Sequence, residues 1–180
     1  MIGVIAAISQ NFVIGKDGEI PWYYKGELKF FREMTTGSIV IMGRKTWESL
    51  PKKPLKNRDN IVLSRQEGYE AEGAVAVCSS LDDAIFLAEA TLDPEKDIWI
   101  IGGESVYDEA LDFADKVVLT RVPEVVEKDA NTAMFPERAM TLPRSTQSIR
   151  NHPYAKGCVV IELDLMEDVD VEVIEAEVDE

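Results

Sequence analysis

The sequence predicts an α/β fold: a mostly parallel central sheet with helices on both faces and a C-terminal antiparallel hairpin. Three observations predict it. Short apolar runs rich in β-branched residues recur along the chain, and segments with helical spacing separate them. The last strand-like runs then follow one another with no helix between.

Ile2 to Ile8 is a continuous apolar run, as expected of a strand buried on both faces. Asn11 to Trp22 holds Gly15, Gly18 and Pro21 and reads as a long loop, a kind of segment that often carries function. From Tyr24 to Thr35 the residues Leu28, Phe31 and Met34 recur at helical spacing, and Gly37 is placed to stop the helix. Ser38 to Met42 reads as a strand, and Gly43-Arg44-Lys45-Thr46 leads into a short helix ending before Pro51. Asn60 to Ser64 and Ala74 to Val77 are strand-like; Ser80, three residues before Asp83, is an N-cap for a helix to about Ala90. Ile98 to Ile101 is a strand, Gly102-Gly103 a turn, and Glu104 to Phe113 a helix. Lys116 to Val122 and Val159 to Leu165 are further strands with a less regular stretch between them.

The length of 180 residues suits one domain, and 46% hydrophobic residues make it globular. Its longest apolar runs are too short to span a bilayer. The N-terminus enters such a run without a basic leader or a small-residue cleavage site, so a cytoplasmic protein is expected. Cys78 and Cys158 make no disulfide framework, and with His152 as the one histidine no metal site is expected. Counting 34 acids against 19 bases gives a net charge of −15, which argues against nucleic acid or anionic lipid as a partner. Eight carboxylates and no base lie in 166–180, so residues 1–165 still carry −7. The chain therefore divides into a domain, 1–165, and an acidic extension, 166–180. In that extension Val169, Val171 and Val173 alternate with acids as in a strand or a frayed tail. Such a surface repels itself unless screened, and at about 1 M salt the Debye length is about 3 Å. A salt-rich cytosol is the setting this charge suggests, against the alternative of an ordinary acidic protein.

Two turns between strand and helix could receive phosphates: Gly43-Arg44-Lys45-Thr46 and Gly102-Gly103-Glu104-Ser105. Glycine permits close backbone approach, helix N-termini offer free N–H groups, and Arg44, Lys45 and Arg65 add charge. Neither turn matches a dinucleotide or P-loop fingerprint, and a glycine at such a junction is ordinarily only a turn. Glu27 is the second clue. At the border of an apolar helix face, a carboxylate can accept two N–H groups from a planar heterocycle. It can equally just favour the helix N-terminus. Trp22 can likewise be a plain hydrophobic anchor for the loop.

The strings Ile14-Gly15, Ile20-Pro21-Trp22, Glu27-Leu28, Phe31 and Met42-Gly43-Arg44-Lys45-Thr46-Trp47-Glu48-Ser49-Leu50 resemble dihydrofolate reductases. So do Asn60 to Arg65, Ile100-Ile101-Gly102-Gly103, Val106-Tyr107 and Leu119-Thr120-Arg121. Order and spacing follow that family from Met1 to about Leu165. The resemblance implies NADPH-dependent reduction of 7,8-dihydrofolate to tetrahydrofolate, supplying one-carbon metabolism. It further implies that Glu27 binds the pterin, with Trp22 and Thr120 completing the catalytic group. Ile5, Ala6 and Ala7 would line the pterin pocket. Leu28, Phe31, Leu50, Leu55, Ile101 and Tyr107 would surround the rest of the substrate, and Arg58, Arg32 and Lys52 its glutamate tail. Ala7, Ile14, Gly15 and Ile20 would lie against the nicotinamide under a closing loop. Gly43, Arg44, Lys45, Thr46, Leu63, Ser64 and Arg65, with Gly102, Gly103, Glu104, Ser105, Val106 and Tyr107, would hold the remaining cofactor. The Gly102–Gly103 peptide is cis in that family. No macromolecular partner is implied, and a monomer is expected.

Tyr23-Tyr24-Lys25 and the longer segment Asp129 to Pro136 depart from the family pattern, and Ser105 stands where some relatives place arginine. Two other readings are the pyrimidine reductase of riboflavin synthesis and a binding module without catalysis. Glu27-Leu28 after Pro21-Trp22 disfavours the first, and the intact glycine turns the second.

Overall fold

The computed structural model describes residues 1–142 and 145–165. In chain order it contains β1 (Ile2–Ile8), β2 (Val13–Lys16), α1 (Lys25–Thr35), β3 (Ile39–Gly43) and α2 (Arg44–Ser49). Then come β4 (Asp59–Leu63), β5 (Ala76–Cys78), α3 (Leu81–Thr91), β6 (Ile98–Ile100), α4 (Glu104–Ala110) and β7 (Lys116–Arg121). β8 (Thr132–Met134), a 3-10 turn (Glu137–Thr141), β9 (Ser145–Asn151) and β10 (Val159–Leu165) complete it. Eight strands form one sheet in the order β5-β4-β3-β6-β1-β7-β10-β9. From β5 to β7 every pairing is parallel, and β10 runs antiparallel to both β7 and β9. The predicted fold class holds.

Strand periodicity divides the core into two layers. Val4, Ile8, Ile39, Ile41, Ile98, Ile100, Val117 and Leu119 face α3 and α4, where Leu81, Ala84, Ala88 and Ala110 meet them. Ile5, Val40, Met42, Trp99, Val118 and Val160 face the other way, against Phe30 of α1 and Trp47 of α2. Ser80 caps α3 as expected, its hydroxyl accepting from Asp83 N at 3.1 Å. Gly37, just beyond α1, adopts φ +82°.

Four expectations need correction. Asn11 to Trp22 is not wholly a loop, because β2 pairs antiparallel with β8; four residues with a glycine carry too weak a pattern to announce a strand. The stretch after β7 holds β8, the 3-10 turn and β9. β9 is an edge strand with nearly every residue exposed, so it lacks hydrophobic alternation. α4 ends at Ala110 rather than Phe113, as the chain turns to enter β7. On α1 the residue that enters the core is Phe30, not Leu28, which is 44% exposed. The acidic extension 166–180, with its alternating Val169 to Val173, lies outside the described residues.

Candidate active site

Glu27 stands in the first turn of α1, where its backbone N–H and that of Leu28 donate to Tyr24 O at 3.1 and 3.2 Å. Burial pushes its carboxyl up to about 7, and no cation offsets that effect. Tyr107 and Cys158 are both raised chiefly by burial and secondarily by nearby carboxylates, Glu27 among them. The carboxylate therefore lies within electrostatic reach of both α4 and the start of β10. Phe30 anchors the helix in the core; Leu28 is exposed and Phe31 half-buried, leaving two apolar side chains beside Glu27.

β1 is the wall opposite. Ala7 pairs with Thr120, which is buried, and Ile5 packs in the same layer as Phe30 and Ile101. Tyr107 donates to Ile5 O at 2.9 Å, fastening α4 to this strand. Ala6 differs from expectation: its side chain packs in the α3–α4 layer, so only its backbone can face the pocket. The two-residue period of a strand requires that when Ile5 and Ala7 face one side.

The two glycine turns meet at the C-terminal edge of the sheet. Gly43 N donates to Gly102 O at 2.8 Å, and the Gly102–Gly103 peptide is cis. A Cβ on Gly43 would lie 3.4 Å from Val106 Cγ2, and one on Gly103 would lie 3.4 Å from Thr46 Oγ1. Because β4, β3 and β6 are adjacent, Leu63, Ser64 and Arg65 reach the same edge. Lys45 and Arg65 are exposed and form no ion pair among the described residues. Arg44 is engaged: Nη1 donates to Glu48 at 3.1 and 3.3 Å, and Glu48 also accepts from Tyr69. Glu104 accepts from Met134 N at 2.9 Å, tying the second turn to β8, while Ser105 is exposed.

Arg58 donates to Thr35 Oγ1 and Lys56 O, and burial together with the neighbouring Arg32 charge lowers its pKa. Two guanidinium groups thus sit near each other with no ion pair to either among the described residues, and Leu50 and Leu55 are half-buried in the same layer as Phe30. Lys52 is exposed. Ile14 and Gly15 lie half-buried within β2, and Ile20, beyond it, is exposed.

Sequence reasoning missed two supports of this site. Tyr24 donates to Glu124 at 2.6 Å, and that bond is the main cause raising its phenol to about 12. Trp22 and Tyr24 pack with Val122, Ala155 and Cys158, leaving Trp22 Nε1 buried with no acceptor among the described residues. The departure at Tyr23-Tyr24-Lys25 was visible, but its acidic partner lies 100 residues away. The turn around His152, which abuts α1, carried no local signal at all.

The dihydrofolate reductase family model matches residues 1–159. A dihydrofolate reductase of Bos taurus is 45% identical over 153 residues, spanning 76% of this chain and 79% of that protein. One of Neisseria gonorrhoeae is 40% identical over 156 residues, spanning 87% and 91%. Among solved structures, dihydrofolate reductase from Enterococcus faecalis, complexed with NADP(H) and RAB-propyl, superposes with a TM-score of 0.78. It is 29% identical, with 93% of this chain and 97% of that one covered. The half-buried carboxyl on α1, the paired glycine turns and these matches have one common explanation: the chain belongs to the dihydrofolate reductase family.

Proposed function

We propose that Glu27, with Trp22 and Thr120, forms the catalytic end of a site that reduces 7,8-dihydrofolate to tetrahydrofolate, the reaction of this family. When bound, NADPH would supply a hydride for pterin C6, and N5 would take a proton. The residues present fit that cofactor. The touching turns at Gly43 and Gly102–Gly103 leave room for backbone approach, and Arg44, Lys45, Thr46, Ser64 and Arg65 collect cations and hydroxyls on one edge of an acidic protein. α2 and α4 have six and seven residues, so charge and hydroxyls matter more there than helix dipoles.

The observation that carries the reading is a half-buried carboxyl on α1 with no cationic partner among the described residues, which burial pushes up to about 7. Such a group orients the pterin through its N–H groups and favours the protonated ring that accepts hydride. Trp22 Nε1 is a buried donor still available to a bound water or to substrate. Leu28, Phe31, Leu50, Leu55, Ile101 and Tyr107 exclude water from the rest of the substrate, and paired Arg58 and Arg32 suit its carboxylates. Ala7, Ile14, Gly15 and Ile20 bound the nicotinamide side. Loss of NADPH absorbance, with and without dihydrofolate, tests the reading. Glu27→Gln should slow the substrate-dependent loss by roughly 100-fold or more while leaving the fold intact. Turnover near the wild-type rate would refute Glu27's role.

Residues 1–165 form the catalytic domain of this reading and 166–180 an acidic extension. The protein works as a cytoplasmic monomer adapted to salt. Support comes from the net charge of −15 and from free Cys78 and Cys158. Sedimentation in molar salt tests the monomer, and unfolding against salt tests the adaptation.

A further inference from the structure

His152 lies at the end of β9, 7% exposed, in the turn that joins β9 to β10. Its Nδ1 accepts from two backbone N–H groups, Tyr154 at 3.1 Å and Ala155 at 2.9 Å. A nitrogen that accepts carries no proton, so this ring is neutral with its hydrogen on Nε2. Nε2 is buried and meets no partner among the described residues. The ring edge packs on Phe30, centroids 4.9 Å apart at 68°.

The turn so held bears directly on α1. A Cβ on Gly26 would fall 2.0 Å from Tyr154 O, so the helix and the turn touch main chain to main chain. Lys29 lies over the Tyr154 ring at 3.9 Å, and Ala155 and Cys158 pack on Trp22 and Tyr24. Gly26 precedes Glu27, and Phe30 lies one turn beyond it. The His152 turn therefore touches α1 on both sides of Glu27 and supports Trp22 as well.

We propose that His152 is a positioning residue for Glu27 and Trp22, and that protonation of its Nδ1 releases the turn that holds them. A proton taken from solvent onto Nδ1 removes the lone pair that both N–H groups share. The Tyr154 and Ala155 amides then point at a donor, and the turn must open. Other ionisable groups face the ring or its turn. Arg150 on β9 lies beside it and pairs with Glu162 on β10 at 2.7 Å. Lys29 and Glu33 on α1 meet Tyr154, and Glu27, Glu124 and Cys158 lie across the cluster. Burial first, and then the Arg150 charge, hold His152 below the ordinary histidine range. The neutral, holding form thus prevails at neutral pH and fails only in acid.

This inference rests on the Glu27 reading above. Its test is folate binding, followed by quenching of intrinsic tryptophan fluorescence, from about pH 7 to about pH 5. His152→Asn offers an oxygen that accepts from the second and third following N–H groups and does not titrate. His152→Phe keeps the ring and removes the acceptor. Wild type should lose about tenfold in affinity over this range beyond any loss in His152→Asn, the order expected for two lost hydrogen bonds. His152→Phe should bind weakly throughout, without a pH step of its own. The proposal is overturned by His152→Asn sharing the full acid loss of wild type, or by His152→Phe binding as wild type does at neutral pH. If His152→Phe does not fold, the comparison of wild type with His152→Asn still decides. Glu27→Gln in the same titration separates the two readings. Wild-type affinity in that variant would overturn the Glu27 assignment and leave the His152 comparison standing.

Discussion

At Glu27 burial without a counter-charge sets both the carboxyl's titration and its effect on stability. The folded carboxyl titrates near 7 against an ordinary value of 4.5. Between those values the unfolded chain ionises while the folded one stays protonated, so stability falls as pH rises, and above 7 the cost is complete. The melting temperature of Glu27→Gln should therefore gain on wild type as pH goes from about 5 to about 8. Turnover with dihydrofolate should fall about tenfold per pH unit above 7 in wild type and lose that slope in the variant. Its neighbour tests the packing. Gly26→Ala places a methyl against the Tyr154 carbonyl, and relief requires helix or turn to move. A cost of about 1–3 kcal/mol, read by denaturant unfolding, is expected together with weakened pterin binding.

At the scale of elements, the segment ahead of α1 is anchored at two places. β2 pairs with β8, and Tyr24 bonds Glu124 just after β7. Glu124 Oε2 is already buried without a partner among the described residues, so losing the Tyr24 bond leaves a carboxylate poorly satisfied. Tyr24→Phe should cost about 1–3 kcal/mol and speed proteolytic cleavage between Gly15 and Tyr23. Ser80→Ala is the contrasting case, since α3 lies on the face away from Glu27. Loss of its cap should cost about 1 kcal/mol in unfolding and leave turnover unchanged.

For the whole molecule the governing quantity is charge. Ion pairs do occur, with Lys116 held by Glu162 and Asp164 and Arg138 by Asp108 and Asp112. They cannot neutralise an excess of 15 negative charges. Self-repulsion should make the unfolding midpoint climb by about 5 °C or more from low to molar sodium chloride, a salt chosen over sulfate to limit exclusion effects. A midpoint indifferent to chloride would make this an ordinary acidic protein.

Local chemistry determined much of this in the sequence itself. The apolar runs set the parallel strands and Ser80 the start of α3, while the glycine turns and Glu27 offered a candidate site that the family resemblance tied to one chemistry. Those signals are legible because each depends on neighbours a few residues away. Tertiary structure alone decided the rest: that Phe30 rather than Leu28 anchors α1, and that polar β9 joins the sheet edge. It also decided that Tyr24 meets Glu124 and that the His152 turn packs against α1. The last two contacts join surfaces 100 or more residues apart in the chain, and no residue type or local spacing encodes such a pairing.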